Sequence, residues 1–92
     1  MEAVIVLKIS ISESGNAVAL QLEGKLVGPW VGELRRLTEH ALSKDKSIII
    51  DLERVLFADA HGVALLHELA RRQVSQVNCS QFLTQQLKEA AL

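Results

Sequence analysis

Apolar residues along this chain repeat with two periods, and the elements change where the period changes. Between Ala3 and Ser12 the residues alternate, with Ile5, Leu7, Ile9 and Ile11 on one parity and Val4, Val6, Lys8 and Ser10 on the other. The fully apolar parity predicts a strand with that face toward the core. Glu13-Ser14-Gly15-Asn16 has hairpin-turn chemistry, and Ala17–Glu23 reads as the return strand with Val18, Leu20 and Leu22 inward. Gly24-Lys25-Leu26-Val27 is a loop or an extension of that strand. Gly28-Pro29-Trp30 then opens a helix, because proline suits the first helical position, where the N–H would be unpaired anyway. Trp30, Leu34, Leu37 and Ala41 step by four, three and four residues and predict its core stripe, while Arg35, Arg36 and Glu39 fall elsewhere. Ser43-Lys44-Asp45-Lys46 is a polar loop.

The segment Ser47–Leu69, SIIIDLERVLFADAHGVALLHEL, is the most informative. Ile48, Ile49 and Ile50 form a continuous β-branched run, which predicts a central strand covered on both faces, with Asp51 ending it. Leu56 and Phe57 bring apolar chain back toward the core. Asp59 stands where a helix N-cap belongs, since its carboxylate can accept from the unpaired N–H groups of the next turn. Gly62 lies inside that first turn, where a missing side chain permits close approach; it is expected to face outward. Val63, Leu66, Leu69 and Ala70 continue at helical spacing to about Gln73. Val74–Cys79 is a short last strand, and Ser80 caps a final helix with Phe82, Leu83, Leu87, Ala90 and Ala91 on its apolar side.

These residues resemble the central motif of STAS domains, the family of bacterial anti-sigma-factor antagonists and of the C-terminal domains of sulfate transporters. There an apolar strand ending in Asp-Leu leads through a Val-x-Phe-x-Asp connector into Ser-Ser-Gly or Ser-Thr-Gly and an apolar helix. Ile48 to Leu52 match the strand, Val55, Phe57 and Asp59 the connector, and Gly62, Leu65 and Leu66 the helix start. LQLEGKLVGPW, before the first helix, resembles a second family pattern. The family's phosphorylatable Ser or Thr falls on His61, and the position before it, often Ser, is Ala60. The predicted fold is α/β: residues 1–92 as one STAS-like domain, with a mixed sheet of about four strands and three main helices packed on it, in the order β-β-α-β-α-β-α.

Composition narrows the function classes. Ninety-two residues, 49% of them hydrophobic, suit one modest core without staples. A net charge of −1 and three aromatics give no pull toward nucleic acid or an anionic membrane. The longest apolar runs fall far short of the ~20 residues needed to span a bilayer, and Glu2, Lys8 and Ser10 break any signal-peptide pattern. The single cysteine, Cys79, excludes an internal disulfide, and the cytoplasm is the expected compartment.

Each candidate for chemistry has an ordinary role beside it. Asp59 is complete as an N-cap, worth about 1 kcal/mol. His61, expected to be exposed, reads as a surface residue, a partner contact or a phosphohistidine. His61 and His67 are six apart and point to different sides of a helix, so no metal site is expected. Cys79 precedes a helix start, which lowers a thiol pKa, but a lone cysteine ending a core strand reads as a small hydrophobe. Arg35-Arg36 and Arg71-Arg72 read as solvated faces, and Trp30 as core or, if partly exposed, an interface anchor. The resemblance implies a protein-binding role in transcription regulation, without catalysis or cofactor. The implied partner is an anti-sigma factor or switch kinase, met by Asp59, Ala60, His61, Gly62 and Val63. With His61 at the acceptor position, Ser/Thr phosphorylation is not expected. A homodimer is left open. The alternatives are a STAS-type small-molecule or lipid-binding domain, favoured by a pocket beside Trp30 and Cys79, or an accessory subunit of a transport assembly.

Overall fold

The structure, a computed structural model, describes residues 6–90. The elements are β1 (Leu7–Ser14), β2 (Ala17–Leu26), α1 (Pro29–Ser43), β3 (Ser47–Ala58), α2 (Ala60–Arg71), β4 (Ser75–Val77) and α3 (Gln81–Ala90). The sheet order is β1-β2-β3-β4, with β1 and β2 antiparallel and β2–β3 and β3–β4 parallel. The expected order and mixed sheet are therefore present. Ala3–Ile5 of the expected first strand, and Ala91 of the last helix, lie outside the described residues.

One face of the sheet carries the core. Leu20, Leu22, Ile48, Ile50 and Leu52 join Leu34 of α1, Leu65, Leu66 and Leu69 of α2 and Leu83 of α3 in a single buried cluster. The opposite face is open. Ile49 is 43% exposed and Val77 39%, so the Ile48–Ile50 run is not covered on both faces. Three β-branched residues in a row raise strand propensity whatever covers them, and here only one side is covered. Ile11 has the inward parity yet is 53% exposed, because β1 is the sheet's edge. Leu7 is buried and Ile9 half-buried on that same parity.

Asp51 does not end β3. The strand runs on to Ala58 through two register shifts against β2, between Gln21 and Glu23 and between Gly24 and Lys25. Each shift gives β3 one extra residue, which switches the inward parity. The buried positions consequently step by three, from Leu52 to Val55 to Ala58. Leu56 falls at the second bulge and is 64% exposed, while Phe57 is half-buried with Lys25 Nζ 5.6 Å from its ring centre. Val55 and Ala58, rather than Leu56 and Phe57, return the chain to the core.

The core stripe of α1 is Val31, Leu34, Thr38 and Ala41, rotated from the expected one; Trp30 and Leu37 are half-buried at its margin. Thr38 is wholly buried because its hydroxyl is satisfied within the helix, 3.0 Å from the carbonyls of both Leu34 and Arg35. On α2 the buried set is Gly62, Val63, Leu65, Leu66 and Leu69, and Ala70 is exposed. Ser80 caps α3 as expected, accepting the Leu83 N–H at 3.1 Å, but Phe82 is 62% exposed and Leu83 is the one fully buried residue of that helix.

Candidate functional site

The end of β3 and the start of α2 form the site that the motif marks. Ala58 closes the strand, and the Asp59 N–H still donates to the Leu26 carbonyl of β2 at 3.1 Å. Asp59 is extended, at φ −78° and ψ −179°, the conformation of an N-cap. Its carboxylate is divided between two helix starts. Oδ1 accepts the Gly62 N–H at 2.8 Å, capping α2, and Oδ2 accepts the Gly28 N–H at 2.9 Å, just before α1. Gly28 sits at φ 55°, a left-handed conformation that glycine adopts without strain, and Pro29 follows at the first helical position. One carboxylate therefore fixes the β2–α1 and β3–α2 turns to each other. The Gly28 N–H, then the Gly62 N–H, hold the Asp59 carboxyl below its ordinary value of 3.8. The neighbouring His61 acts in the same direction and partial burial opposes it, so Asp59 is ionised at neutral pH.

Around this anchor Ala60 and His61 are exposed, and Asp59 and Trp30 are half-buried. The remaining two motif positions are underneath. Gly62 is buried rather than outward-facing, and Val63 is 4% exposed. A Cβ on Gly62 would lie 2.5 Å from the Leu26 carbonyl oxygen and 3.1 Å from both the Ala58 Cβ and the Leu26 Cγ. The missing side chain makes room for the protein's own β2. Gly62 and Val63 support the turn, and Asp59, Ala60 and His61 form its outer surface.

The other candidates stand apart from it. His67 packs toward α3, where its Nε2 is 2.8 Å from the Leu87 carbonyl. Cys79 is half-buried against the core, and the cleft it lines has its other walls from Gln81, Phe82, Thr84, Gln85 and Lys88 of α3, without Trp30. Arg35 pairs with Glu68 at 2.6 Å and Arg72 pairs with Glu39, both between α1 and α2. Arg36 pairs with Glu33 along α1 at 2.6 Å. Arg35 and Arg72 thus join α1 to α2, Arg36 pairs within α1, and the three are not a free basic patch; exposed pairs of this kind add little stability.

Two participants in the site were not marked by the sequence. Gly28 looked like a helix opener, and its N–H is the second ligand of the Asp59 carboxylate; a glycine before an N1 proline is the available signal. Gln86 carries no signal. From α3 its side-chain amide accepts the Ala58 N–H at 3.2 Å and donates to the Ala58 carbonyl at 2.6 Å.

Solved structures share this fold. No curated protein matches the chain in sequence. The anti-sigma factor antagonist SpoIIAA in its unphosphorylated form superposes with a TM-score of 0.60 at 25% identity, covering 70% of this chain and 61% of that one. An anti-sigma factor antagonist from Mycobacterium paratuberculosis gives 0.63 at 12% identity, over 76% and 63% of the two chains. An uncharacterised protein from Shewanella loihica with a SpoIIAA-like fold gives 0.55 at 21% identity, over 79% and 64%. The chain spans about three fifths of the length of these relatives, and the last two likenesses carry the fold alone. Among the described residues no helix is long and apolar enough to cross a membrane. A family model described as "Mlab, STAS domain" matches residues 9–91, nearly the whole chain, and the chain belongs to that STAS family.

Proposed function

We propose that residues 1–92 act as one non-catalytic protein-binding unit, which docks a regulatory protein through the Asp59–His61 turn and the adjoining start of α1. The partner is of the anti-sigma-factor or switch-kinase kind, in the cytoplasm of a bacterium, and the role is in transcription regulation. The single observation behind this reading is the Asp59 carboxylate bound to both Gly28 and Gly62. It presents two helix starts as one preorganised surface, with the small side chain of Ala60 at its centre. Preorganisation of this sort raises affinity by lowering the ordering cost of binding. In the family a phosphate on the turn adds about −1.5 to −2 charges and blocks the complex. Ala60 and His61 offer no hydroxyl, so binding here is constitutive or controlled through the partner. Incubation with ATP and a switch kinase should leave the peptide spanning Asp59–Gly62 unmodified, whereas His61→Ser should create an acceptor. Phosphate mapped to His61 in the parent protein would overturn the unswitched reading.

The same missing hydroxyl favours a second reading, that of an accessory subunit of a transport assembly. A permanent subunit needs no phosphate-controlled release. Size-exclusion chromatography of the partner complex separates the two: a transport subunit stays at fixed stoichiometry on dilution, while an antagonist exchanges with free partner.

A further inference from the structure

Strand β4 is three residues long and pairs only with Ile49, Ile50 and Asp51. Among the described residues, the distal half of β3 therefore has β2 on one side and no strand on the other. Ala58, its last residue, is paired with Leu26 of β2 and is 1% exposed. The following N–H, that of Asp59, points to β2, so the N–H and C=O of Ala58 itself point to the strandless side. Buried backbone groups left without partners there would be costly. Gln86 supplies both, one bond in each direction. A primary amide offers a donor and an acceptor in one plane, as the neighbouring peptide group of a strand would. One residue further along α3, the Leu87 carbonyl meets His67 of α2. Helix α3 thus has one fully buried residue, Leu83, but two polar ties, and one of them ends on the residue that immediately precedes Asp59.

We propose that Gln86 is the positioning residue of the docking turn: it stands in for a missing strand, fixes Ala58, and so makes the Asp59 bridge between Gly28 and Gly62 depend on where α3 lies. The alignment of the Asp59 carboxylate follows from the position of its own backbone, and that backbone is held between Leu26 on one side and, through Ala58, Gln86 on the other. Any partner that shifts α3 is felt at the turn. The functional consequence rests on the docking reading given above; the coupling itself does not.

The test uses the full chain and two variants, Gln86→Met, which preserves length and removes both bonds, and Gln86→Glu, which keeps the acceptor for the Ala58 N–H. The readout is the titration of the Asp59 carboxyl followed by NMR in the folded protein, which reports its bonds to Gly28 and Gly62 and is blind to global stability. The coupling predicts that Gln86→Met moves the Asp59 pKa up toward 3.8, the ordinary value, and that Gln86→Glu, which loses the donor to the Ala58 carbonyl and adds a like charge, moves it up as well. It also predicts that the Gly28 and Gly62 amides exchange at least tenfold faster relative to the Ile50 amide at the sheet centre. An Asp59 titration identical to wild type in Gln86→Met overturns the proposal, as does an acceleration shared equally by Ile50. Affinity for the protein partner is then measured on Gln86→Met. A loosened turn with full affinity keeps the coupling and refutes the docking surface; a loosened turn with at least tenfold weaker binding supports both.

Discussion

Two glycines lie inside helices of this protein, and alanine should affect them in opposite directions. By propensity alone, alanine in a helix is favoured over glycine by about 1 kcal/mol. Gly32 of α1 has open space where a Cβ would stand, with nothing within 4 Å. Gly32→Ala should therefore stabilise by about 0.5–1 kcal/mol. At Gly62 the Cβ would lie 2.5 Å from the Leu26 carbonyl oxygen. That oxygen cannot withdraw cheaply, because it accepts the Asp59 N–H at 3.1 Å. Two further contacts at 3.1 Å, to Ala58 and Leu26 side-chain carbons, leave no alternative direction. Overpacking of this severity costs about 3 kcal/mol, the upper part of the usual range. Less the helical gain of about 1 kcal/mol, Gly62→Ala should be destabilising by about 2 kcal/mol. For a domain of this size that is a fall in melting temperature of about 8–16 °C, against a rise for Gly32→Ala. Urea unfolding of both variants, followed by circular dichroism, measures the difference. If Gly62→Ala is as stable as the parent, β2 does not press on the start of α2 as described. A bulkier replacement at Gly62 likewise reports on folding before it reports on binding.

Asp59→Ala should cost about 2 kcal/mol, one N-cap bond plus the tie to Gly28. Because the folded Asp59 pKa is depressed, its contribution is present above the ordinary value of 3.8 and is lost as pH falls through the lower folded value. The acid-side loss of stability between about pH 5 and pH 2 should accordingly be smaller in Asp59→Ala than in the parent, as measured by urea midpoints across that range. Ile49→Asp should fold, losing about 1 kcal/mol of strand propensity and packing on an open face, while Ile50→Asp, at a wholly buried position, should not fold; circular dichroism of the purified variants distinguishes them.

The order of elements was legible because each has a clear period and boundary chemistry: Gly28-Pro29 before α1, Asp59 before α2, Ser80 before α3. The departures from the sequence pattern have local causes. Ile49 is exposed although it lies in a β-branched run, because such a run signals a strand without saying how many faces are covered. Leu56 and Phe57 are apolar by type, but the two bulges in β3 turn the inward parity to Val55 and Ala58, and nothing in the local sequence marks a bulge. The stripe of α1 was displaced because Thr38 is polar by type yet satisfies its hydroxyl within the helix. The N-cap role of Asp59 was readable from its place before Gly62. Its second bond to Gly28 joins residues 31 apart in sequence, and the Gln86 clamp on Ala58 joins residues 28 apart. Neither pairing has any short-range pattern, and both are products of the tertiary fold. The burial of Gly62 was hidden for the same reason, since the backbone it accommodates belongs to β2.

In the proposed function, the Asp59–His61 turn is the surface that a protein partner reads. Its most direct test is isothermal calorimetry with the partner that the wild-type chain captures from its native cells, once identified by mass spectrometry and purified. Ala60→Glu adds bulk and charge at the exposed centre of the turn, and an acid in the first turn of a helix leaves the helix intact. Ala60→Glu should bind at least tenfold more weakly than wild type with an unchanged unfolding midpoint. Equal affinity in the two proteins would contradict it.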